Sequence, residues 1–295
     1  MGIKSKTDLY LPEFNFQNQN GVYISDADFS SKLVNFQEGL KIVDFWKKKK
    51  HIVGFTNGCF DYLHPGHISL FKQAKKKCGI ITGIIICSLR NMSPSHSLEL
   101  SKLAVKYKNK GVVGFDLAGI EENFPAKKHK EAFYLILNNN INTTIHAGEA
   151  FGPKSIHQAI HICGAHRIGH GTRVYEDKDL LNYINNHRIP LEICLTSNIH
   201  TKTVSSISKH PFKYYINEKV RVTLNTDNRL ISNTSLSKEY EIAINNFNLN
   251  ENEIRTIIIN GFKSAFLPHN KRRELIRKVA DELESEFNFS KHLII

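Results

Sequence analysis

Apolar, largely β-branched runs recur along the chain at 51–56, 81–87, 112–116, 143–147, 167–170, 191–194 and 221–226. Between most of them lie stretches whose apolar residues return at helical spacing, at 95–109, 125–139, 153–164 and 177–187. Helical patterns over 237–247, 251–265 and 270–287 close the chain, and one more covers 32–46. Short apolar strands alternating with helices predict a parallel sheet, because parallel neighbours need a crossover between them. Such a sheet is either doubly wound or a barrel. His146, His170 and Asp227 stand where apolar runs end. Successive strand ends carrying chemistry at one mouth favour a TIM-type barrel. A barrel needs eight strands and seven runs are counted, so the predicted barrel is incomplete.

Composition changes this picture little. The hydrophobic share of 41% and charged share of 23% are those of a globular chain of 295 residues. Cys59, Cys78, Cys87, Cys163 and Cys194 lie far apart with no C-x-x-C pair, which argues for reduced thiols and against a disulfide framework or cysteine-held zinc. The opening "MGIKSKTDLYLPEF" has no apolar signal core, and "GIITGIIIC" is about half a membrane span. A soluble, cytoplasmic protein without a membrane partner is expected. The net charge of +12 raises nucleic acid as a partner. Outside "WKKKKH" and "KQAKKKC" the lysines are scattered and not interleaved with aromatic residues, so solvated faces account for them and nucleic acid is not expected.

The residues at the strand ends carry more information. "HAGE" puts His146 at the end of one strand and Glu149 in the turn behind it; "RIGHG" flanks His170 with glycines; "LNTDN" ends in Asp227 and Asn228. Singly, each has an ordinary structural role, such as a helix N-cap for the aspartate. Together they offer imidazole and carboxylate donors to a divalent ion, with a spare carboxylate for proton transfer.

These segments resemble the adenosine deaminase family of metal-dependent hydrolases. The resemblance runs from about Gly79 to Phe287 through "GIIICSLRN", "GVVGFDLAGIE", "TIHAGEAFGP", "RIGHGT", "LEICLTSN", "HP" and "LNTDN", in the family's order and spacing. It implies zinc-dependent hydrolytic deamination of a purine nucleoside, adenosine to inosine. His146 and Asp227 would be Zn2+ ligands, Glu149 the proton donor to the purine ring, and His170 the residue that orients the attacking water. The backbone of Gly119 and the side chain of Asn228 would meet the purine; many family members carry Asp where Asn228 stands.

The family's H-x-H pair, which supplies two further zinc ligands, is absent from the sequence, as are its first two strands. A two-ligand site is expected to hold zinc weakly, and an incomplete barrel to self-associate through its open edge. In their place, "KHIVGFTNGCFDYLHPGHISLFKQAKKKC" (50–78) resembles the start of a cytidylyltransferase-like nucleotidyltransferase of the sugar-phosphate adenylyltransferase type. That resemblance implies phosphate contacts from His64 and His67 at a helix start. Three roles stay open for this pair: a remnant, surrogate zinc ligands, or a weak phosphate site. The expected organisation is a weakly patterned segment with one helix (1–49), a nucleotidyltransferase-like fragment (50–78) and a partial deaminase barrel with C-terminal helices (79–295). Alternatives to deamination are nucleotide binding through His64-Pro65-Gly66-His67 and a non-catalytic fusion product.

Overall fold

The structure, a computed structural model, describes residues 83–287. The predicted strand at 51–56, the helix at 32–46 and the H-P-G-H stretch lie outside the described residues.

Six strands follow one another in a single parallel sheet: β1 (Ile84–Leu89), β2 (Val112–Ala118), β3 (Asn142–Ala147), β4 (Arg167–His170), β5 (Leu191–Ile193) and β6 (Val222–Leu224). Spatial order equals chain order, β1-β2-β3-β4-β5-β6, and every adjacent pair is parallel. A doubly wound sheet would reverse order at a switch point; a barrel does not. Among the described residues the sheet is therefore six consecutive strands in TIM-type barrel order. Each strand lies within about three residues of its apolar run, because the run is what the layer of helices covers.

The helices are α1 (Pro94–Tyr107), α2 (Lys130–Asn138), α3 (Pro153–His161), α4 (Lys178–Asn186), α5 (Leu195–His200), α6 (Phe212–Asn217), α7 (Arg229–Ser232), α8 (Leu236–Phe247), α9 (Glu251–Lys263) and α10 (His269–Phe287). Their starts are written locally. Ser93 accepts from the His96 N–H ahead of Pro94, Asp177 caps α4 through the Leu180 N–H, and Asn250 with Glu253 forms a reciprocal capping box on α9. Helices α5 and α6 were not foreseen. Six residues make fewer than two turns, too few for a periodicity to show. Residues Arg229–Thr234, with α7, group with a second compact unit; Thr82–Asn228 and Ser235–Ile295 form the unit that carries the sheet.

The register divides each strand into two faces. Phe115, Ile145, Ile168, Leu191, Ile193 and Val222 are buried and form the apolar layer beneath the helices. The alternate positions Asp116, Thr144, His146, Arg167, Glu192 and Thr223 line the other face. That face is polar and internally paired: Thr144 donates to Glu192 at 2.7 Å, and Arg167 pairs with Glu192 at 2.8 Å. Phe266 packs at the amino ends of the strands, its ring 3.6 Å from the Arg167 guanidinium and its edge close to Gly114, where a Cβ would meet it at 2.8 Å.

Candidate active site

At the carboxyl ends of the strands, His146 ends β3, His170 ends β4 and Asp227 follows β6. The imidazoles of His146 and His170 stand edge to face with centroids 5.3 Å apart. Close approach of neighbouring strands requires Gly169 beside His146, since a Cβ there would lie 3.1 Å from the His146 Cα and Cγ. His170 and Asp227 both adopt left-handed backbone conformations, φ +63° and +54°. Non-glycine residues rarely do so, and here the twist turns two functional side chains into the mouth.

A tether holds each side chain. His146 Nδ1 lies 3.1 Å from Asp116 Oδ1, which places a ring proton there and leaves Nε2 as the nitrogen that the carboxylate does not hold. The His146 carbonyl accepts from buried Arg90 at 2.7 Å, and the same guanidinium bonds the Phe124 carbonyl. Ser197 donates to Asp227 Oδ2 at 2.7 Å. Behind β3, Glu121 accepts four backbone N–H groups in succession, from Gly148 (2.5 Å), Glu149 (3.0 Å), Ala150 (2.6 Å) and Phe151 (3.0 Å). One carboxylate thus holds the turn that presents Glu149.

Asn198 is the centre of the site. Its Oδ1 accepts from Thr172 (2.8 Å) and His210 (3.2 Å); its Nδ2 donates to His170 Nδ1 (3.1 Å) and Glu149 Oε1 (3.2 Å). The Phe212 N–H donates to His210 Nδ1, so the His210 proton sits on Nε2. The two donors to Oδ1 fix the Asn198 amide, and its Nδ2 then donates to His170 Nδ1, so the His170 ring carries a proton on Nε2. That nitrogen is 3.6 Å from Glu149 Oε2. Thr201 adds a second bond to Glu149 Oε1, at 2.8 Å, so Oε2 is the oxygen left to hold or give a proton.

The fields follow from these contacts. Desolvation works against a charged His146, but Asp116, Asp227 and Glu192 outweigh it and raise its pKa to about 9. Desolvation also opposes the Asp227 charge; His170, the Ser197 hydroxyl and His146 overcome it and hold this carboxyl below its usual range. Burial, with His170 nearby, pushes His210 down to about 3. The Cys194 thiol is pushed well up by burial beside the site's carboxylates, so it is no nucleophile.

A catalytic zinc takes three protein ligands and water. His146 Nε2 and the second Asp227 oxygen are donors of the right kind. No group of three histidine, cysteine or carboxylate side chains able to hold a metal exists among the described residues. The described residues therefore do not complete a zinc shell.

The structure brings His146, Glu149, His170 and Asp227 into one mouth. Gly119 follows β2 at the same end, in a left-handed turn (φ +90°), and Asn228 donates its backbone N–H to Asp227. His64 and His67 lie outside the described residues. Sequence reading missed Asp116, Glu121, Ser197 and Asn198 as site residues. A carboxylate inside the apolar run 112–116 was a visible signal for Asp116; Ser197 and Asn198 end the segment "LEICLTSN", but that pattern assigned them no role.

The sheet thus gathers a histidine–carboxylate constellation at the carboxyl ends of its parallel strands. A family profile described as adenosine deaminase matches residues 66–282. A probable adenosine deaminase of Dictyostelium discoideum is 44% identical over 199 residues, 66% of this chain and 26% of that protein. The adenosine deaminase of Mycobacterium ulcerans is 41% identical over 213 residues, 68% of this chain and 58% of that protein. The crystal structure of Arabidopsis N6-mAMP deaminase superposes with a TM-score of 0.62 at 32% identity, covering 68% of this chain and 59% of that one. The chain belongs to the adenosine deaminase family. It spans about a quarter of the Dictyostelium relative and under three fifths of the mycobacterial one. The profile match opens at Gly66, inside H-P-G-H, and so overlaps the nucleotidyltransferase-like stretch by some residues.

Proposed function

We propose that this chain carries the acid–base centre of a purine deaminase, acting on adenosine or a related 6-aminopurine nucleoside and releasing ammonia. The observation that carries this reading is the Glu149–Asn198–His170 arrangement, in which one buried amide orients both a carboxyl group and an imidazole. Glu149, in its acid form, gives the proton on Oε2 to the ring nitrogen beside C6, which makes C6 electrophilic. Water adds at C6 while the His170 Nε2–H holds the oxygen as charge develops. The Glu149 carboxylate takes the proton from that oxygen and passes it to the amino group. Ammonia leaves as the C6 carbonyl forms, and the last hydroxyl proton returns to Glu149 and restores its acid form, so one water is consumed and one ammonia released with no net proton. Gly119 and Asn228 are the purine contacts in this reading.

Zinc, where bound, would activate the water. His146 and Asp227 are its two donors here, and with the H-x-H pair absent the chain holds the ion weakly and turns over slowly. The test is production of inosine and ammonia from adenosine, and of IMP and methylamine from N6-methyl-AMP, with zinc content measured on the same preparation. Conversion that rises with added zinc and falls about 10³-fold in Glu149→Gln supports the reading. Equal rates in Glu149→Gln, or no product at saturating zinc, refute it.

A further inference from the structure

His210-Pro211, the "HP" of the sequence, has no part in the chemistry above. The His210 ring is buried, with the rings of Phe212 and Phe247 against it at centroid distances of 6.4 and 6.3 Å. Among the described residues its polar partners are the Phe212 N–H at 3.1 Å, which it accepts on Nδ1, and Asn198 Oδ1 at 3.2 Å, to which Nε2 donates.

The buried Asn198 amide has two orientations of nearly equal shape, related by exchange of Oδ1 and Nδ2. In the one observed, Oδ1 takes Thr172 and His210 while Nδ2 gives to Glu149 and His170. Turned over, Oδ1 would face Glu149 and His170. Three of the four partners can follow such a turn. A threonine hydroxyl accepts as readily as it donates, a carboxyl group carries its proton on either oxygen, and a neutral imidazole moves its proton between its nitrogens. His210 cannot follow. A main-chain N–H only donates, so Phe212 commits His210 Nδ1 to accepting. Burial, with His170 nearby, holds the ring neutral, its pKa down to about 3, so its one proton stays on Nε2 and points at Asn198. The direction of the whole chain of hydrogen bonds is thus imposed by the backbone, from Phe212 through His210 and Asn198 to His170.

The direction matters at the far end. With the amide turned, His170 would carry its proton on Nδ1, and Nε2 would present a lone pair to the oxygen that gains charge, where a donor is needed. A histidine in the wrong tautomer costs orders of magnitude in rate. We propose that His210 is a positioning residue that acts through Asn198 to fix His170 in its Nε2–H tautomer. Its consequence for rate rests on the deaminase reading above; the tautomer rests on the hydrogen bonds alone.

Long-range proton–nitrogen NMR of the full chain, carrying isotopically labelled histidine, tests it at about pH 8, above the usual histidine range. His170 and His210 signals are assigned by their loss in His170→Gln and His210→Phe. In the unaltered chain both rings show a protonated Nε2 and a bare Nδ1; a proton on Nδ1 of either overturns the proposal before any substitution is read. In His210→Phe, which keeps a ring against Phe212 and Phe247, His170 moves wholly or in part to the Nδ1–H tautomer. With zinc added, kcat for adenosine in that variant falls about 100-fold while KM is nearly kept. Thr172→Val removes the other donor to Oδ1, and His170 keeps its tautomer. His210→Gln, whose amide N–H can reach Oδ1, recovers most of the rate. An unchanged His170 in His210→Phe overturns the proposal, as does an equal tautomer change in Thr172→Val. No product from the unaltered chain removes the deaminase reading alone, because the tautomers are read without turnover.

Discussion

At the carboxyl ends of the strands the side chains of the site are joined to opposite charges or hydrogen-bonding partners, whereas at the amino ends cations lie close enough to repel one another beside the cleft between β6 and α9. Asp116 meets His146, Ser197 meets Asp227, and Asn198 joins Glu149 to His170. Arg188, Arg221, Lys263 and Arg272 act on one another only as like charges. The backbone shows the same contrast. His170 and Asp227 carry left-handed strain at strand ends, while the positive φ of Arg188 (+53°) and Lys219 (+59°) is that of residues just past a helix end. Strain and pairing mark a site whose side chains are held before any ligand arrives.

Breaking the organised end should have the largest effects. Glu121→Ala leaves four backbone N–H groups without their acceptor and frees the turn bearing Glu149. It should cost about 4 kcal/mol in urea unfolding and remove deamination. Asn198→Ala strands His210, Thr172 and His170 together and should cost about 3 kcal/mol, with activity lost although no catalytic group is removed.

The pH dependence of stability sharpens the comparison. His210 titrates near 3 when folded, below its ordinary 6.5, so the unfolded chain binds its proton first as pH falls. Stability from this group is complete above pH 6.5 and declines by about 1.4 kcal/mol per pH unit from there towards pH 3. Urea unfolding at pH 6, 5 and 4 should show that slope, and His210→Gln should flatten it. Gly169→Ala presses a methyl group against the His146 ring, 3.1 Å from its Cγ, and should cost about 1–2 kcal/mol in thermal unfolding. Lys213→Ala, beside the cleft, breaks a partly exposed ion pair with Glu253 and should cost less than about 1 kcal/mol. An effect of that last change as large as the first would erase the distinction between the two ends.

Much of the sheet was legible in the sequence. The six described strands fall on the runs from 81–87 to 221–226 because parallel strands under helices need continuous apolar side chains, and such runs stand out. His146, Glu149, His170 and Asp227 were legible because each sits in a short pattern at a strand end. Asn198 was not, since its importance lies in four partners up to 49 residues away in the chain. Helices α5 and α6 were too short to show a period.

The sequence alone determined the alternation of strand and helix, the residues that end each strand, and the absence of an H-x-H pair. These depend on local patterning and residue identity, which no packing can alter. Tertiary structure decided which face of each strand carries the polar residues, how one amide aligns a carboxyl with an imidazole, and where like charges gather. Each is a relation between distant segments, set by strand register and helix packing, and so becomes visible only when the chain has closed on itself.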